Sequence, residues 1–322
     1  MSSTAQSEPA TTTRTPDDPT SARKNARRKP RLPTQRSEGM KLGHAVADTW
    51  HRHHGAGRMD IPCGVVATLA LWPRKTDAAS HAQDLADFIA DQPASKWPPT
   101  VGEVAAVHWI SRPDLINTAA PILRWYEEEH SPDTLRAIKA VSDTALRHGV
   151  LLHTGYRDPY MRSHVDLMSW TITSLRHRGD RSWLGEFHTP PEVTDLLAGM
   201  TIGDSPPKNG ALHEPAGGTS GMFRSAAQHL RHRGIDPHGW AWHLQDKDPI
   251  AAAGAAVNML IWDLGPNTLV ACGDTLSEGD LSGKALATRR ELEDRRDALF
   301  ADVVTRRDSL RAARNLLSGG QD

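Results

Sequence analysis

Three acids and one glycine turn carry the chemistry legible in this chain. Glu214, Asp246 and Asp274 each follow a short apolar piece: Ala211-Leu212-His213, Trp240 to Leu244, and Thr268 to Cys272. After the first acid comes Pro215-Ala216-Gly217-Gly218-Thr219-Ser220-Gly221-Met222, which runs into a helix-like stretch from Phe223 to Leu230. Glycines let backbone approach a ligand closely, and a helix N-terminus presents N–H groups that the helix itself cannot satisfy. Acids at three neighbouring strand ends suit a ligand that carries an amine, a ribose diol and an adenine.

The turn separates this reading from two rivals. It lacks the Gly-Lys-Ser/Thr ending of a phosphate-binding P-loop. It does contain Ala216-x-Gly218-x-x-Gly221, an imperfect dinucleotide fingerprint. A dinucleotide site wants one acid on the ribose, however, and leaves Asp274 unexplained.

The elements that must position these residues alternate. Apolar piece, glycine turn, helix, apolar piece, the helical run Ala251 to Leu260 and a third apolar piece give β-α-β-α-β, the pattern of a parallel sheet covered by helices. Ligands of such sheets sit beyond the C-terminal strand ends, where the three acids fall. Residues 40–178 read differently. Asp84 to Ile89 and Val101 to Ile110 carry apolar residues at helical spacing. Ser131-Pro132-Asp133 opens a helix whose stripe is Leu135, Ile138, Val141, Ala145 and Leu146, and Gly149 closes it. Asp166 to Leu175 is a further helix. Trp50, Trp72, Trp97, Trp109, Trp125 and Trp170 are spread through this part and are expected to anchor the packing between helices.

Composition narrows the class. A net charge of -1 over 322 residues gives no global attraction to nucleic acid, so any attraction is local. Cys63 and Cys272 form no CxxC pair, which argues against a disulfide framework or a cysteine zinc site. His51, His53 and His54 have no carboxylate or cysteine partner at ligand spacing and read as a surface cluster. There is no apolar run of membrane-spanning length and no signal-peptide pattern, so the expectation is a soluble, cytoplasmic protein without membrane contact. Residues 1–38 are polar and expected to be disordered. They hold the basic run Arg23, Lys24, Arg27, Arg28, Lys29, Arg31 and Arg36, which reads as a solvated tail or as an arm that binds phosphates nonspecifically.

The site motifs together resemble the adenine-N6 DNA methyltransferases of the type I restriction-modification kind, over about residues 165–276. Gly185-Glu186-Phe187-His188-Thr189-Pro190 resembles the family's G-E/Q-F-Y-T-P motif, which contacts the methionine part of S-adenosylmethionine. Glu214 to Gly221 resembles its D-P-A-C-G-T-G-G turn. Gln245-Asp246-Lys247-Asp248-Pro249 resembles Q-E-I-N-P, whose acid holds the ribose hydroxyls. Val257-Asn258-Met259-Leu260 is similar to the M-N-L piece, and Gly273-Asp274-Thr275-Leu276 to G-D-T/S-L, whose acid meets the adenine. The resemblance implies an α/β fold: a shortened Rossmann-like S-adenosylmethionine-dependent methyltransferase domain over 180–280, preceded by a helical domain over 40–178. It implies S-adenosylmethionine as cofactor, held by Phe187, Thr189, Pro190, Glu214, Ala216, Gly217, Gly218, Thr219, Gly221, Asp246 and Asp274. It implies DNA and a specificity or catalytic subunit as partners.

The sequence departs from the pattern at one decisive place. The family's Asn/Asp-Pro-Pro-Tyr/Phe motif, which holds the flipped adenine, has no counterpart. Phe300-Ala301-Asp302-Val303-Val304 resembles the strand that precedes it but leads into Thr305-Arg306-Arg307. Asp158-Pro159-Tyr160 has one proline too few and stands before the cofactor motifs. Ser205-Pro206-Pro207-Lys208 lacks the aromatic and reads as a loop. Leu292, Leu299, Val303, Leu310 and Leu317 follow heptad-like spacing, so 281–318 is expected to be a C-terminal helix, with a decayed strand as the alternative. The catalytic residues are thus unassigned. A noncatalytic cofactor- or DNA-binding accessory protein derived from this family is the competing reading.

Overall fold

The N-terminal helices follow from where proline, glycine and capping side chains fall. Ser131 accepts a hydrogen bond from the Thr134 N–H at 3.1 Å, Pro132 takes the first helical position, and Gly149 leaves the next turn at a positive φ of 75°. That helix is α7 (Pro132–Arg147). A computed structural model describes residues 35–55, 57–176 and 189–318 of the protein. Before α7 come α1 (Gln35–His53), α2 (Asp60–Ala70), α3 (Ala79–Ala90), α4 (Trp97–Ser111), α5 (Pro113–Thr118) and α6 (Ala120–Leu123). After it come α8 (Val150–Thr154), α9 (Pro159–Arg162) and α10 (Leu167–Leu175). Helix α1 opens at Gln35, so the last four residues of the stretch expected to be tail are helical. The basic run from Arg23 to Arg31 lies outside the described residues.

Trp50, Trp97 and Trp125 are buried among these helices, whereas Trp72 and Trp109 pack against the core from its margin. Trp170 is only half-buried. Helix α1 reaches α10 so closely that a Cβ on Gly39 would stand 2.5 Å from Trp170 Cδ1, and one on Gly43 2.5 Å from the Trp170 carbonyl oxygen. Two glycines one turn apart therefore set that contact. His54 stacks on Trp50 with ring centroids 4.2 Å apart. Among the described residues, no group of three or more His, Cys, Asp or Glu is arranged to hold a metal ion, and no helix is long and apolar enough to cross a membrane.

The second half begins with α11 (Pro191–Ile202) and then alternates: β1 (Ala211–Glu214), α12 (Gly221–His232), β2 (Ala241–Asp246), α13 (Pro249–Trp262), β3 (Thr268–Cys272) and α14 (Leu281–Ser318). The three strands are parallel in the order β1-β2-β3, with Glu214 opposite Leu244 and Asp246 opposite Cys272. This is an α/β arrangement, and its burial follows position in the sheet. β3 is buried along Thr268 to Ala271, β2 alternates, and β1 is the most exposed strand.

Helix α13 joins the two halves. Asp248 caps it by accepting from the N–H groups of Ile250 and Ala251, and pairs with Arg176 beyond α10. Its alanines and Gly254 leave room for close neighbours: a Cβ on Gly254 would meet Ile172 Cδ1 at 2.7 Å and Thr219 Cγ2 at 3.2 Å. Arg112, at the start of α5, adds a second tie. It donates to the carbonyls of Gly265 at 3.0 Å and Thr268 at 2.7 Å while held by Asp114. The described residues thus gather into one compact unit.

Candidate functional site

Parallel pairing brings the C-terminal ends of β1, β2 and β3 to one edge, and the loops beyond them are stitched together. Gly217 N–H donates to the Gln245 carbonyl at 3.0 Å, and Gly218 N–H to Asp246 Oδ2 at 2.7 Å. Gly273 N–H donates to the Asp246 carbonyl at 2.9 Å, and Thr275 Oγ1 to the Pro215 carbonyl at 2.8 Å. The loops that carry Glu214, Asp246 and Asp274 are therefore neighbours.

The turn needs its glycines for two different reasons. A Cβ on Gly217 would lie 2.4 Å from Leu244 Cδ1, so any side chain there would force Leu244 to move. Gly218 has φ +52° and nothing within 4 Å of where a Cβ would stand. Ser220 also holds a left-handed conformation, at φ 74°, although it is fully buried. That strain is tolerated where surrounding structure fixes the backbone, and it turns the chain into α12.

In front of the turn lies a cavity of about 280 Å³. Of the residues that the resemblance assigns to the cofactor, Thr189, Pro190, Glu214, Ala216, Gly217, Gly218, Thr219 and Gly221 line it. Asp246 and Asp274 are not among its lining residues. Asp246 spends both carboxylate oxygens on the backbone, accepting from Gly218 and from Asp248 N–H at 2.9 Å. Asp274 is exposed and accepts from the Leu276 N–H at 2.9 Å. Phe187 lies outside the described residues.

The lining of the cavity carries charge of both signs. Burial pushes the Glu214 carboxyl above its ordinary range, with Asp246 adding to the rise; the Ala216 N–H and His213 oppose it. The first-turn N–H groups of α12, at the lining residues Gly221 and Met222, give a partial positive charge. Arg224 is buried but satisfied: it donates to Gln228 at 2.9 Å, to Asp195 at 3.0 Å and to Ser225 at 2.9 Å. Such a cavity can hold a small ligand that carries charges of both signs.

Several lining residues escape a reading confined to the glycine turn. Asp166, Ser169, Trp170 and Thr173 come from the start and one face of α10, and Thr194 from α11. The available signal was the cap: Asp166 accepts from the Ser169 N–H at 3.0 Å and so marks the start of α10. Asn258 of α13, 1% exposed, ties that cap to the turn by donating to Asp166 Oδ1 at 2.8 Å and to the Thr219 carbonyl at 2.9 Å. Capping also accounts for Asp158-Pro159-Tyr160, where Asp158 accepts from the Tyr160 N–H and Pro159 opens α9. Phe300 to Val304 lies within α14, exposed to solvent.

Residues 170–294 match the protein family described as N-6 DNA Methylase. This segment belongs to the N-6 DNA methylase family. Within the curated proteins, 77 residues are 34% identical to the type I restriction enzyme MjaIX methylase subunit of Methanocaldococcus jannaschii. That match covers 24% of this chain and 13% of the relative. Among solved structures, the type I restriction-modification system methyltransferase subunit from Streptococcus thermophilus aligns with a TM-score of 0.41 at 14% identity. The alignment covers 77% of this chain and 60% of that one. The N-6 methylase segment opens within α10 and closes within α14, so it takes in the glycine turn, all three strands and part of the helical wall of the cavity.

Proposed function

We propose that this protein binds S-adenosylmethionine in the cavity between the glycine turn and α10, and that it serves the methylation of adenine N6 in DNA. In this reading the β-α-β-α-β half is a shortened Rossmann-like methyltransferase domain. The observation that carries it is the turn between β1 and α12, whose residues line a cavity of about 280 Å³ beside a helix N-terminus. The residues fit the cofactor. Open space at Gly218 admits a ligand against the backbone, the α12 N-terminus suits a carboxylate, and Glu214 suits a cation. Thr189 and Pro190 wall one side. Bound S-adenosylmethionine supplies an electrophilic methyl group, and the chain's residues orient it and keep water away from it.

DNA and a specificity or catalytic subunit are the proposed partners, with Arg23, Lys24, Arg27, Arg28, Lys29 and Arg31 as a nonspecific contact to phosphates. One observation favours a second reading, in which the chain is an accessory cofactor- or DNA-binding protein. This sequence holds no Asn/Asp-Pro-Pro-Tyr/Phe, and Arg306 and Arg307 beyond Phe300 have no acceptor capacity for the N6 hydrogens. Calorimetry and thermal unfolding with S-adenosylmethionine test the shared part of both readings. At a hundred times the dissociation constant, the ligand should add about 2.7 kcal/mol of stability. Neither heat nor a melting shift at millimolar ligand would remove the cofactor from both.

A further inference from the structure

Leu299, Phe300, Val303, Val304 and Leu310 stand on the part of α14 that is exposed throughout, 297–315. Val303 is 61% exposed and Leu310 71%. Single apolar residues on a surface need no explanation, but these are not scattered. At about 3.6 residues per turn, Leu299, Val303 and Leu310 fall on one stripe, with Phe300 and Val304 along its flank. Among the described residues nothing covers that stripe. A helix draws most of its stability from packing an apolar face, so the pattern calls for a neighbour.

The charges on the same helix say what the neighbour is. Over 291–302, Glu291, Glu293, Asp294, Asp297 and Asp302 outnumber Arg295 and Arg296. Over 303–314, Arg306, Arg307, Arg311 and Arg314 outnumber Asp308. The helix is thus acidic before Val303 and basic after it. Two such helices side by side in the same direction would set acid against acid and base against base. Reversed, each acidic half lies along a basic half, and the helix is complementary to itself. We propose that α14 is the self-association surface of this protein, and pairs antiparallel with α14 of a second copy across a two-fold axis near Val303. In that pairing Leu299 of each chain lies beside Leu310 of the other. A further apolar patch waits at the root of the exposed stretch. Arg296 donates there to the Ile110 carbonyl at 3.4 Å, and Val107 and Ile110 of α4 are about half exposed. The far end of the second helix reaches this patch.

Pairing of α14 is independent of what the cavity holds. The surface is short, so the dissociation constant should lie in the micromolar range. Below it the chain is single, and its own stability owes nothing to the pair. Sedimentation of the full chain over a dilution series is the test, and it should show a monomer passing to a dimer. Val303→Glu puts like charges together at the axis and should weaken the dimer at least about 10-fold, with unchanged circular dichroism. A chain that stays monomeric at every concentration overturns the proposal. So does a dimer that Val303→Glu leaves intact, since it must use another surface. Charge reversal tests the direction. Arg306→Glu, Arg307→Glu and Arg311→Glu together make both halves acidic, while Glu293→Lys, Asp297→Lys and Asp302→Lys together make both halves basic or neutral. Each triple variant alone should remain monomeric, and the two mixed should form a heterodimer. Self-association of either triple variant as strong as that of the unaltered chain would overturn the antiparallel pairing.

Discussion

At Asp246 the side chain and the backbone turn have become one object. The sequence places an acid at the end of the second strand, and the resemblance of its motif implies a ligand for ribose. In the fold its two oxygens accept from Gly218 and Asp248, which holds the glycine turn in shape. Nothing in the spacing of residues reveals the first of these bonds, because the Gly218 N–H belongs to a loop 28 positions earlier. Asp246→Ala should therefore cost about 1 to 3 kcal/mol of stability by leaving those donors unpaired, and weaken S-adenosylmethionine as well. Urea unfolding of the ligand-free variant checks the first effect, and wild-type stability would show that the turn stands without this acid. Glu214 gives a prediction in pH. Its carboxyl is raised above the ordinary 4.5, so the folded chain holds the proton more tightly than the unfolded one. Through the window that opens at 4.5 the folded state binds more protons, and stability falls as pH rises. Glu214→Gln, which keeps an acceptor for the Ala216 N–H, should remove part of that fall. Unfolding midpoints from pH 4 to 8 measure it, and parallel curves for the two proteins would contradict it.

Among elements, α14 was the hardest to read. Heptad-like leucines favour a helix, yet Phe300-Ala301-Asp302-Val303-Val304 also has the β-branched and aromatic character of a strand. Context decides. Leu281 is buried and the first turns of α14 lie against β3 and α5, whereas residues 297–315 are exposed throughout. A strand there would have no neighbour to pair with, while a helix satisfies its own backbone and gains the Asp302–Arg306 ion pair along one face. The strands β1 to β3 were easier, since each apolar run ends where its loop begins. Deleting residues 298–322 should leave the unfolding free energy within about 0.5 kcal/mol, as for changes at an exposed surface. A large loss on deletion would mean that the distal half of α14 contributes packing to the fold.

For the molecule as a whole, the cavity exists because the helical half and the sheet half share a wall. The sheet side was legible in the order of its motifs. The helical side was not, because Asp166 reads as an ordinary cap and Trp170 as one more anchor until α13 sets them opposite the turn. Asn258 is the residue that makes this alignment. It is 1% exposed, and a single amide nitrogen reaches both Asp166 Oδ1 and the Thr219 carbonyl. Asn258→Ala removes both bonds and strands buried acceptors, at a cost of about 1 to 3 kcal/mol. The larger consequence is geometric, since α10 and the turn would no longer be held in register. Affinity for S-adenosylmethionine should then fall even though no atom of Asn258 lines the cavity. Asn258→Asp, whose carboxylate would face Asp166 and the Thr219 carbonyl with no donor, should be worse than alanine on both counts. Melting and calorimetry of the two variants, measured side by side, decide it: lost stability with full affinity would show that the two walls find each other without this amide.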